Sequence, residues 1–411
     1  MPALRSRPSR PPGASAGETY IVDAVRTPTG RYGGALAGVR PDDLAARVVG
    51  AIAERSPALD PDGIDDVLFG NANGAGEENR DVARMAALLA GLPTSVPGVT
   101  VNRLCGSGME ATVEANRAIA MGDASVCIAG GVESMSRAPW VVMKPEQGYA
   151  RTDQTLVSTT LGWRLVNPQM PEGWTVSLGE GAEILADRYR ISREAQDEFA
   201  LRSHQRAAAA WEGGAYADET VAVPGVDLEH DEPIRPNSSL EKLAQLRPAF
   251  RPDGTVTAGN ASPLNDGAAA LLLAGEDGIE ATGREPLARI VSRGLHAVDP
   301  PLYGIAPVEA ANRALERAGI GWGDLELVEL NEAFAAQALA CLSRWPELDP
   351  EIVNVNGGAV ALGHPIGCSG ARILTTLVSE LHRRGGGYGL AALCIGVGQG
   401  MAMVVEANGA R

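Results

Sequence analysis

The sequence is poor in aromatic residues and has no long hydrophobic run. Aromatic side chains make up 4% of its 411 residues, whereas 45% are hydrophobic, so a core must be built from Ala, Val, Leu and Ile. Such a composition suits helices packed closely on sheets whose strands are nearly continuous apolar runs. No apolar run approaches the roughly 18 to 20 residues that a membrane span needs. We therefore predict a protein that does not enter a membrane.

Cysteine is also scarce. The five cysteines are an odd number, and none falls in a C-x-x-C pair or in the His/Cys spacing of a zinc site. A disulfide framework and a structural metal are both disfavoured, and free thiols predict a reducing, cytoplasmic location. The net charge of −16 argues against nonspecific binding to nucleic acid or to an anionic membrane.

The first 17 residues are rich in Arg, Pro, Ser and Gly and contain no apolar segment of the kind found in a secretory signal. We predict that residues 1–17 form a disordered tail. A transit peptide is the alternative, because the tail is basic and lacks acidic residues. Its prolines disfavour the amphipathic helix that such a peptide needs.

Strand and helix patterns alternate from Tyr20 to Gly130, which predicts an α/β half with parallel strands. The alternation returns from Leu287 onwards, which predicts a second α/β half. The second half includes a predicted strand from Ile352 to Val355 and a helix after Gly370. Prolines and tryptophans interrupt the alternation in between. We predict an N-terminal half at 18–136 and 266–285, an inserted loop domain at 137–265 and a C-terminal half at 286–411.

Three short motifs of the first half recur in order in the second, at offsets of about 260 to 267 residues, as a duplicated unit would produce. The pairs are VLFG at 67–70 with VELN at 328–331, CGSG at 105–108 with GCSG at 367–370, and VCIAGGV at 126–132 with LCIGVG at 393–398. Chance similarity between glycine-rich turns is the alternative.

Cys105 stands between an apolar strand and a Gly-Ser-Gly helix start, in NRLCGSGME at 102–110. Backbone amides and the dipole at a helix start favour a thiolate, so this position predicts a lowered pKa and a nucleophile. The glycines let a substrate carbonyl approach the backbone, whose N–H groups can bind an oxyanion. The alternative is a buried structural cysteine.

His364 lies on a stiff Gly-Pro loop, and Cys394 follows a predicted strand and precedes Gly-rich sequence. One histidine and two cysteines beside glycine-rich turns predict acyl transfer through a thiol, with the second thiol shuttling a proton. For His364 the alternative is an ordinary turn residue. Asn331 follows the strand from Leu325 to Leu330, where open α/β sheets place ligands. It can orient a water or a carbonyl, or cap a helix.

Six motifs in this order resemble the thiolases, which are acyl-CoA C-acyltransferases, from about Tyr20 to about Glu406. They are NRLCGSGME at 102–110, GGVESMS at 130–136, GTVTAGNASPLND at 254–266, NEAF at 331–334, GHPIGCSGAR at 363–372 and CIGVGQG at 394–400. The resemblance implies a layered αβαβα core built from the duplicated halves.

The resemblance also implies the roles of the catalytic residues. Cys105 would be acylated after His364 deprotonates it, and His364 would later help to hold the thioester oxygen of the second acyl-CoA. Asn331 would hold a water at that oxyanion site. Cys394 would protonate the departing carbanion or activate the incoming thiol, and the amides of Cys105 and Gly396 would stabilise the tetrahedral intermediate.

The resemblance further implies that coenzyme A is a substrate, with no covalently bound cofactor and no metal, and that the protein is a homodimer or homotetramer. Residues of the inserted domain, together with one aromatic residue of the NEAF motif, would contact the coenzyme A. These residues are Arg235, Phe250, Ala258, Ser262 and Phe334.

Two departures from the family pattern bear on the acyl chain. The family usually has a Met-Gly-x-Thr-Ala-Glu-like run where this chain has LGEGAE at 178–183, and Gly after Ala-Ser where it has Pro263. The runs at 77–84, 130–140 and 160–168 look most like degradative thiolases of the 3-oxoadipyl-CoA type. A dicarboxyl substrate would need a cation in the acyl pocket, which Arg164 or Arg151 could supply.

Other functions on the same scaffold are disfavoured. A thiolase that works on acetoacetyl-CoA in the biosynthetic direction remains an alternative substrate assignment. A condensing enzyme of the ketoacyl-synthase type would want a second histidine where this chain has Asn331, and would lack Cys394. A non-catalytic lipid or coenzyme A carrier would have lost Cys105 or His364, and both are present.

Overall fold

The computed structural model describes residues 17–409. The predicted N-terminal tail lies outside these residues except for Gly17, whose N–H donates to the Ala120 carbonyl oxygen at 3.0 Å. Within the described chain, no helix combines the length and apolar character needed to cross a membrane.

The strands, numbered in chain order, cover both halves of the sequence. They are β1 Thr19–Arg26, β2 Gly30–Arg31, β3 Asp66–Gly70, β4 Gly98–Val101, β5 Val126–Ser134, β6 Trp140–Val141, β7 Val157–Ser158, β8 Asn265–Gly275, β9 Ala288–Ala297, β10 Leu325–Leu330, β11 Gly386–Ile395 and β12 Gln399–Asn408.

The helices lie between these strands, and short 3₁₀ turns occur at 61–63, 172–174, 300–305, 322–324 and 350–352. The α-helices are α1 Pro41–Arg55, α2 Val82–Leu89, α3 Ser107–Met121, α4 Leu178–Tyr189, α5 Arg193–Glu212, α6 Leu240–Ala244, α7 Glu276–Thr282, α8 Ala306–Ala318, α9 Ala335–Leu342, α10 Ala359–Leu362 and α11 Ile366–Arg384.

Ten strands form one mixed sheet in the order β10-β11-β12-β9-β1-β8-β5-β3-β4, with β2 beside β8. Strands β4-β3-β5 and β10-β11 pair in parallel, and β1 runs in the same direction as β5 because both are antiparallel to β8. The parallel strands predicted between Tyr20 and Gly130 are thus confirmed, whereas β8 and β12 run antiparallel to their neighbours. The reason is visible at β11 and β12, which are joined by a tight turn and must therefore run antiparallel. Strand β8 pairs with β1 and β5.

The helices and strands form the predicted layers. One apolar cluster joins α3 and α11 with strands from both halves, and two further clusters pack α1 and α2 on the first half and α8 and α9 on the second. The two halves thus enclose α3 and α11 as a central helical layer. The precise domain boundaries that the sequence suggested stay predictions.

Helices α3 and α11 approach each other closely at their N-terminal ends, because glycine occupies both contact positions. A Cβ at Gly370 would lie 2.4 Å from the backbone nitrogen of Met109, and a Cβ at Gly108 would lie 2.8 Å from that of Ala371. Contacts this short to backbone cannot be relieved by rotating a side chain. The Ser-Gly pair that recurs in each half, at 107–108 and 369–370, therefore permits α3 and α11 to cross this closely.

Helix α11 begins at Ile366, directly after Pro365, and not after Gly370 as the sequence suggested. The predicted strand from Ile352 to Val355 is also wrong, since only Val353 forms an isolated bridge, to Val328. Asn354 has a left-handed backbone (φ 48°), and its side-chain amide bonds both the N–H and the C=O of Leu330 at 2.8 Å. The side chain thus replaces the backbone ladder that a strand would form.

The repeated Cys-Ile motif does not mark equivalent positions in the two halves. Cys127 lies near the start of β5, opposite Asp66, whereas Cys394 lies near the end of β11, opposite Gly400. The recurrence of this one motif is therefore a chance similarity between glycine-rich turns.

The two long helices of the region between the halves pack on the second half. Helix α4 contacts α9, and α5 contacts α9 and α10. Both helices begin at serine caps, with Ser177 Oγ accepting from the Glu180 N–H at 3.1 Å and Ser192 Oγ accepting from the Ala195 N–H at 3.2 Å. Serine caps of this kind fix where each helix begins, and the first residues of α4 line the site described next.

Candidate active site

A cavity of about 230 Å³ lies where β5 and β11 end and where α4 and α11 begin. Its polar lining consists of Cys105, Ser177, Ser262, Tyr303, His364 and Cys394. Its apolar lining includes Met135, Leu161, Leu178, Phe250, Phe334 and Ile366. A mostly apolar cavity with a few convergent polar groups is typical of a small-molecule site.

The turn that carries Cys105 is held in a conformation that few residues other than glycine adopt. Leu104 has a left-handed backbone (φ 49°), and the Ser107 hydroxyl ties the turn together by donating to the Leu104 carbonyl at 2.6 Å and accepting from the Arg103 N–H at 2.9 Å. Cys105 is only 7% exposed. Strained backbone of this kind is common at functional sites.

His364 enters the same cavity from the loop before α11. Gly363 has φ +100°, and a Cβ there would collide with the side chain of Asn265. Asn265 in turn accepts the His364 N–H at 2.8 Å and donates to the Gly30 carbonyl at 2.9 Å. The histidine backbone is therefore fixed to β8 and, through it, to β2. Sequence reasoning had not identified Asn265.

The His364 ring has one hydrogen-bond partner that determines its tautomer. Ser369 Oγ lies 2.6 Å from Nδ1, and the same hydroxyl lies 2.8 Å from the Pro365 carbonyl oxygen. A hydroxyl has one proton, and the carbonyl can only accept, so the arrangement that satisfies both contacts has Ser369 donating to Pro365 and accepting from Nδ1–H. Nε2 then carries a lone pair. Burial, with Arg372 as a smaller cause, lowers the pKa of His364 to about 3, so the ring is neutral near pH 7.

The Cys105 thiol does not have the lowered pKa that its place before a helix suggested. Burial raises the pKa of Cys105 to about 11, and the nearby charge of Glu133 adds to this effect. The backbone N–H groups of Gly396 and Cys105 itself oppose it. Sequence reasoning was wrong here because the cavity is dry enough for desolvation to exceed the helix-start effect.

Cys394 lines the same cavity as Cys105. Burial, followed by the proximity of Cys105 and Cys341, raises the pKa of Cys394 well above its ordinary value. Tyr303 faces the same two cysteines, and its hydroxyl donates to the Leu178 carbonyl at 2.9 Å. The cavity therefore holds two neutral thiols and one neutral imidazole near pH 7.

Asn331 is fully buried directly after β10. It does not cap helix α9, because that helix begins at Ala335 and Phe334 occupies the N-cap position. Its Nδ2 lies 3.4 Å from Nδ1 and 3.5 Å from Nε2 of His364, so it approaches the ring without a clear preference for either nitrogen. Its Oδ1 is buried and has no hydrogen-bond partner among the described residues. An unpaired buried oxygen of this kind can hold a water or a ligand.

Glu133 is a further buried group that sequence reasoning missed. Its Oε2 accepts the N–H groups of Ala72 at 2.9 Å and of Gly367 at 2.8 Å, so it joins the loop after β3 to the first turn of α11. Burial raises the pKa of Glu133 to about 7. Glu133 lies within the GGVESMS motif at 130–136, and that motif is the sequence signal that could have singled it out.

The residues predicted to contact coenzyme A fall in two places. Phe250, Phe334 and Ser262 line the cavity, and the two phenyl rings meet edge to face with centroids 6.1 Å apart. Arg235 lies instead in a separate surface groove of about 390 Å³ with Lys242, Leu243 and Leu246. Ala258 is exposed and lies next to Gly259, where a Cβ would be 2.5 Å from Leu246, so it borders this groove. Across residues 17–409, no group of three or more His, Cys, Asp or Glu side chains could hold a metal ion.

The assignment of a neutral His364 with its proton on Nδ1 predicts a specific NMR result. Because the pKa of the ring is lowered, its neutral form is complete above that pKa and is lost only as the pH falls toward about 3. In ¹⁵N-histidine-labelled protein, the His364 signals should therefore not titrate between pH 5 and 8, and should show a protonated Nδ1.

The ring signals that disappear from the spectrum of a His364→Asn protein are those of His364. In a Ser369→Ala protein, the His364 ring should lose its preference for the Nδ1–H tautomer. A titration midpoint near the ordinary value of about 6.5, or a ring protonated on Nε2, would contradict the described geometry.

Comparison with known proteins identifies the family of the chain. The family model described as "Thiolase, N-terminal domain" matches residues 19–277, and "Thiolase, C-terminal domain" matches residues 284–407. A beta-ketoadipyl-CoA thiolase of Escherichia coli is 54% identical over 399 residues, which is 95% of this chain and 99% of the relative. A beta-ketoadipyl-CoA thiolase of Pseudomonas putida is 52% identical over 398 residues, again 95% of this chain and 99% of the relative.

Solved structures of related proteins show the same fold. The human mitochondrial 3-ketoacyl-CoA thiolase in complex with CoA matches with a TM-score of 0.90 and 40% identity, covering 96% of this chain and 99% of that one. The Bacillus anthracis acetyl-CoA acetyltransferase matches with a TM-score of 0.89 and 42% identity, covering 96% of this chain and 99% of that one. With both family models covering nearly the whole described chain, the protein belongs to the thiolase family of acyltransferases.

Proposed function

We propose that this thiolase cleaves 3-oxoadipyl-CoA with free coenzyme A, giving acetyl-CoA and succinyl-CoA through an acyl group on Cys105. The observation that carries the chemistry is the convergence of Cys105, His364 and Cys394 on one buried cavity. The substrate assignment is supported by the beta-ketoadipyl-CoA thiolases that are 52% and 54% identical over nearly the full length.

In the first half-reaction, Nε2 of His364 takes the Cys105 proton as the sulfur attacks the C3 carbonyl. Burial raises the pKa of the thiol to about 11 and lowers that of the imidazole to about 3, so a free ion pair is disfavoured in the empty cavity. Proton transfer is therefore coupled to the attack, and the N–H groups of Cys105 and Gly396 stabilise the oxyanion that forms.

The C2–C3 bond then breaks, and the electron pair passes to the acetyl-CoA carbanion. Protonated His364, together with a water on Asn331, holds the thioester oxygen of this carbanion, and Cys394 donates a proton to C2. The Cys394 thiolate next takes the proton of an incoming CoA thiol, which attacks the acyl group on Cys105. When succinyl-CoA leaves, His364 returns its proton to Cys105, so both groups regain their starting states.

Steady-state thiolysis tests both the reaction and the substrate. We expect kcat/KM for 3-oxoadipyl-CoA to exceed that for acetoacetyl-CoA by at least about tenfold, because one charged contact to a substrate carboxylate is sufficient for such a ratio. A Cys105→Ala protein should lose activity on both substrates on the order of 10⁴-fold, as expected for removal of a nucleophile.

A preference for acetoacetyl-CoA would instead support the biosynthetic assignment and leave the acyl-cysteine chemistry intact. Activity that survives in Cys105→Ala would contradict the mechanism itself. Circular dichroism of the variant controls for loss of folding.

The surface groove around Arg235 suits the charged, phosphate-bearing end of coenzyme A, while the apolar cavity suits its thiol arm. Arg235 and Lys242 are the cations of this groove, and the ring pair Phe250 and Phe334 borders the cavity. A long ligand can occupy both, which would account for the separation of Arg235 and Ala258 from the other predicted contacts.

An Arg235→Ala protein should therefore have a KM for coenzyme A raised about two- to fivefold, as expected for one exposed charge contact, with kcat unchanged. The same variant should use pantetheine, which lacks the nucleotide, as well as the parent protein does. Equal effects on coenzyme A and pantetheine would place the nucleotide elsewhere. Arg344→Ala, on an exposed position outside the groove, is the matched control.

A homodimer or homotetramer and a cytoplasmic location stay predictions. Strand β4 is at the end of the sheet, with Val99 42% exposed, and an exposed apolar edge strand is typically covered in a functional assembly. Sedimentation of the purified protein as a monomer at micromolar concentration would contradict the oligomer.

A further inference from the structure

The cavity that receives the acyl group has no cation in its lining. None of the side chains that surround it among residues 17–409 is Lys or Arg. A 3-oxoadipyl chain ends in a carboxylate, and transfer of an unpaired carboxylate from water into such a site is strongly unfavourable. If the proposed substrate is correct, a neighbouring segment must supply the positive charge.

Most arginines adjacent in sequence to the cavity lining are already neutralised by carboxylates. The pairs are Arg103 with Glu110 at 3.0 Å, Arg137 with Glu77, Arg251 with Glu180 and Asp187 at 2.7 Å each, and the buried Arg372 with Glu329 at 3.4 Å. Using one of these arginines for a substrate would draw it away from its carboxylate partner, although Glu110 also pairs with Arg117 at 3.6 Å and Glu77 with Arg40 at 3.2 Å.

Arg164 differs from these arginines in its partners. It follows the cavity-lining residues Leu161 and Gly162, and its guanidinium donates only to neutral oxygens, the Thr159 carbonyl at 3.3 Å and Asn73 Oδ1 at 3.1 Å. No carboxylate in the described part of the chain forms an ion pair with it. A guanidinium has five N–H donors, so this half-buried side chain retains both its charge and donors for a ligand.

The segment that carries Arg164 is fixed to the loop before the nucleophile. Asn73 Nδ2 donates to Thr159 Oγ1 at 2.9 Å and to its carbonyl at 3.1 Å. One residue earlier, the Ala72 carbonyl accepts from Asn102 Nδ2 at 3.0 Å, and Asn102 Oδ1 accepts from the Leu104 N–H at 2.9 Å. A chain of hydrogen bonds therefore sets the position of Arg164 relative to Cys105.

We propose that Arg164 binds the terminal carboxylate of the acyl chain and thereby makes the enzyme selective for dicarboxyl substrates. The inference rests on the proposed 3-oxoadipyl-CoA activity and names the residue that determines the preference for that substrate. A planar guanidinium can bind a carboxylate through two parallel hydrogen bonds. Such binding holds the end of the acyl chain in place while the C2–C3 bond of the substrate breaks at Cys105. Arg151, the other candidate from the sequence, is exposed and lies farther along the chain from Leu161 and Gly162.

The test compares two substrates of equal chain length, 3-oxoadipyl-CoA and 3-oxohexanoyl-CoA, which has a methyl group in place of the carboxylate. Arg164→Gln should lower kcat/KM for 3-oxoadipyl-CoA at least about 30-fold, the effect expected when one partner of a desolvated charge pair is removed. Thiolysis of 3-oxohexanoyl-CoA should change by less than about threefold. Arg164→Lys should restore part of the selectivity, and Arg151→Gln should behave as the parent protein.

The outcomes separate this inference from the substrate proposal. A parent protein that does not favour 3-oxoadipyl-CoA over 3-oxohexanoyl-CoA would overturn both. A selective parent whose Arg164→Gln variant remains selective, or loses both activities equally, would overturn the role of Arg164 alone, the second result showing a structural function of its bonds to Asn73 and Thr159. Loss of selectivity in Arg151→Gln would also overturn it.

Discussion

The close crossing of helices α3 and α11 is the constraint on which the rest of the site depends. Gly108 and Gly370 lie at the contact near the start of each helix, and neither position has room for a Cβ against the opposing backbone. Cys105 and His364 each lie two residues before their helix begins. The crossing therefore brings a nucleophile from one half and a base from the other to a single cavity.

Burial then gives this pair its chemical character. The same dry cavity that raises the pKa of Cys105 lowers that of His364, because desolvation disfavours the charged form of each group. The resting site is therefore neutral, and charge develops only when a carbonyl is present to accept the electrons and backbone N–H groups are present to stabilise the oxyanion. Such a site protects a reactive thiol from unwanted reactions between turnovers.

Much of this arrangement was predictable from the sequence. Glycine-rich turns after apolar strands identified Cys105, His364 and Cys394, and hydrophobic periodicity located most helices and strands. The pKa of Cys105 was not predictable, because it depends on how much water the folded cavity admits. The failed strand around Asn354 and the role of Glu133 depend on side-chain hydrogen bonds to distant backbone groups, which local sequence patterns do not encode. Ser369 and Asn265 were missed for the same reason: each acts on His364 through a contact that exists only in the folded chain.

The most direct measurement is peptide mapping by mass spectrometry after rapid mixing with acyl-CoA in the absence of free coenzyme A. The acyl group should appear on Cys105, and in Gly370→Ala, checked for folding by circular dichroism, it should appear at least about tenfold more slowly, since overpacking at the crossing shifts one helix against the other. Gly323→Ala, where a Cβ meets nothing within 4 Å, should match the parent protein. Acylation of another residue, or a folded Gly370→Ala protein that reacts as fast as the parent, would contradict the claim that the helix crossing creates the active site.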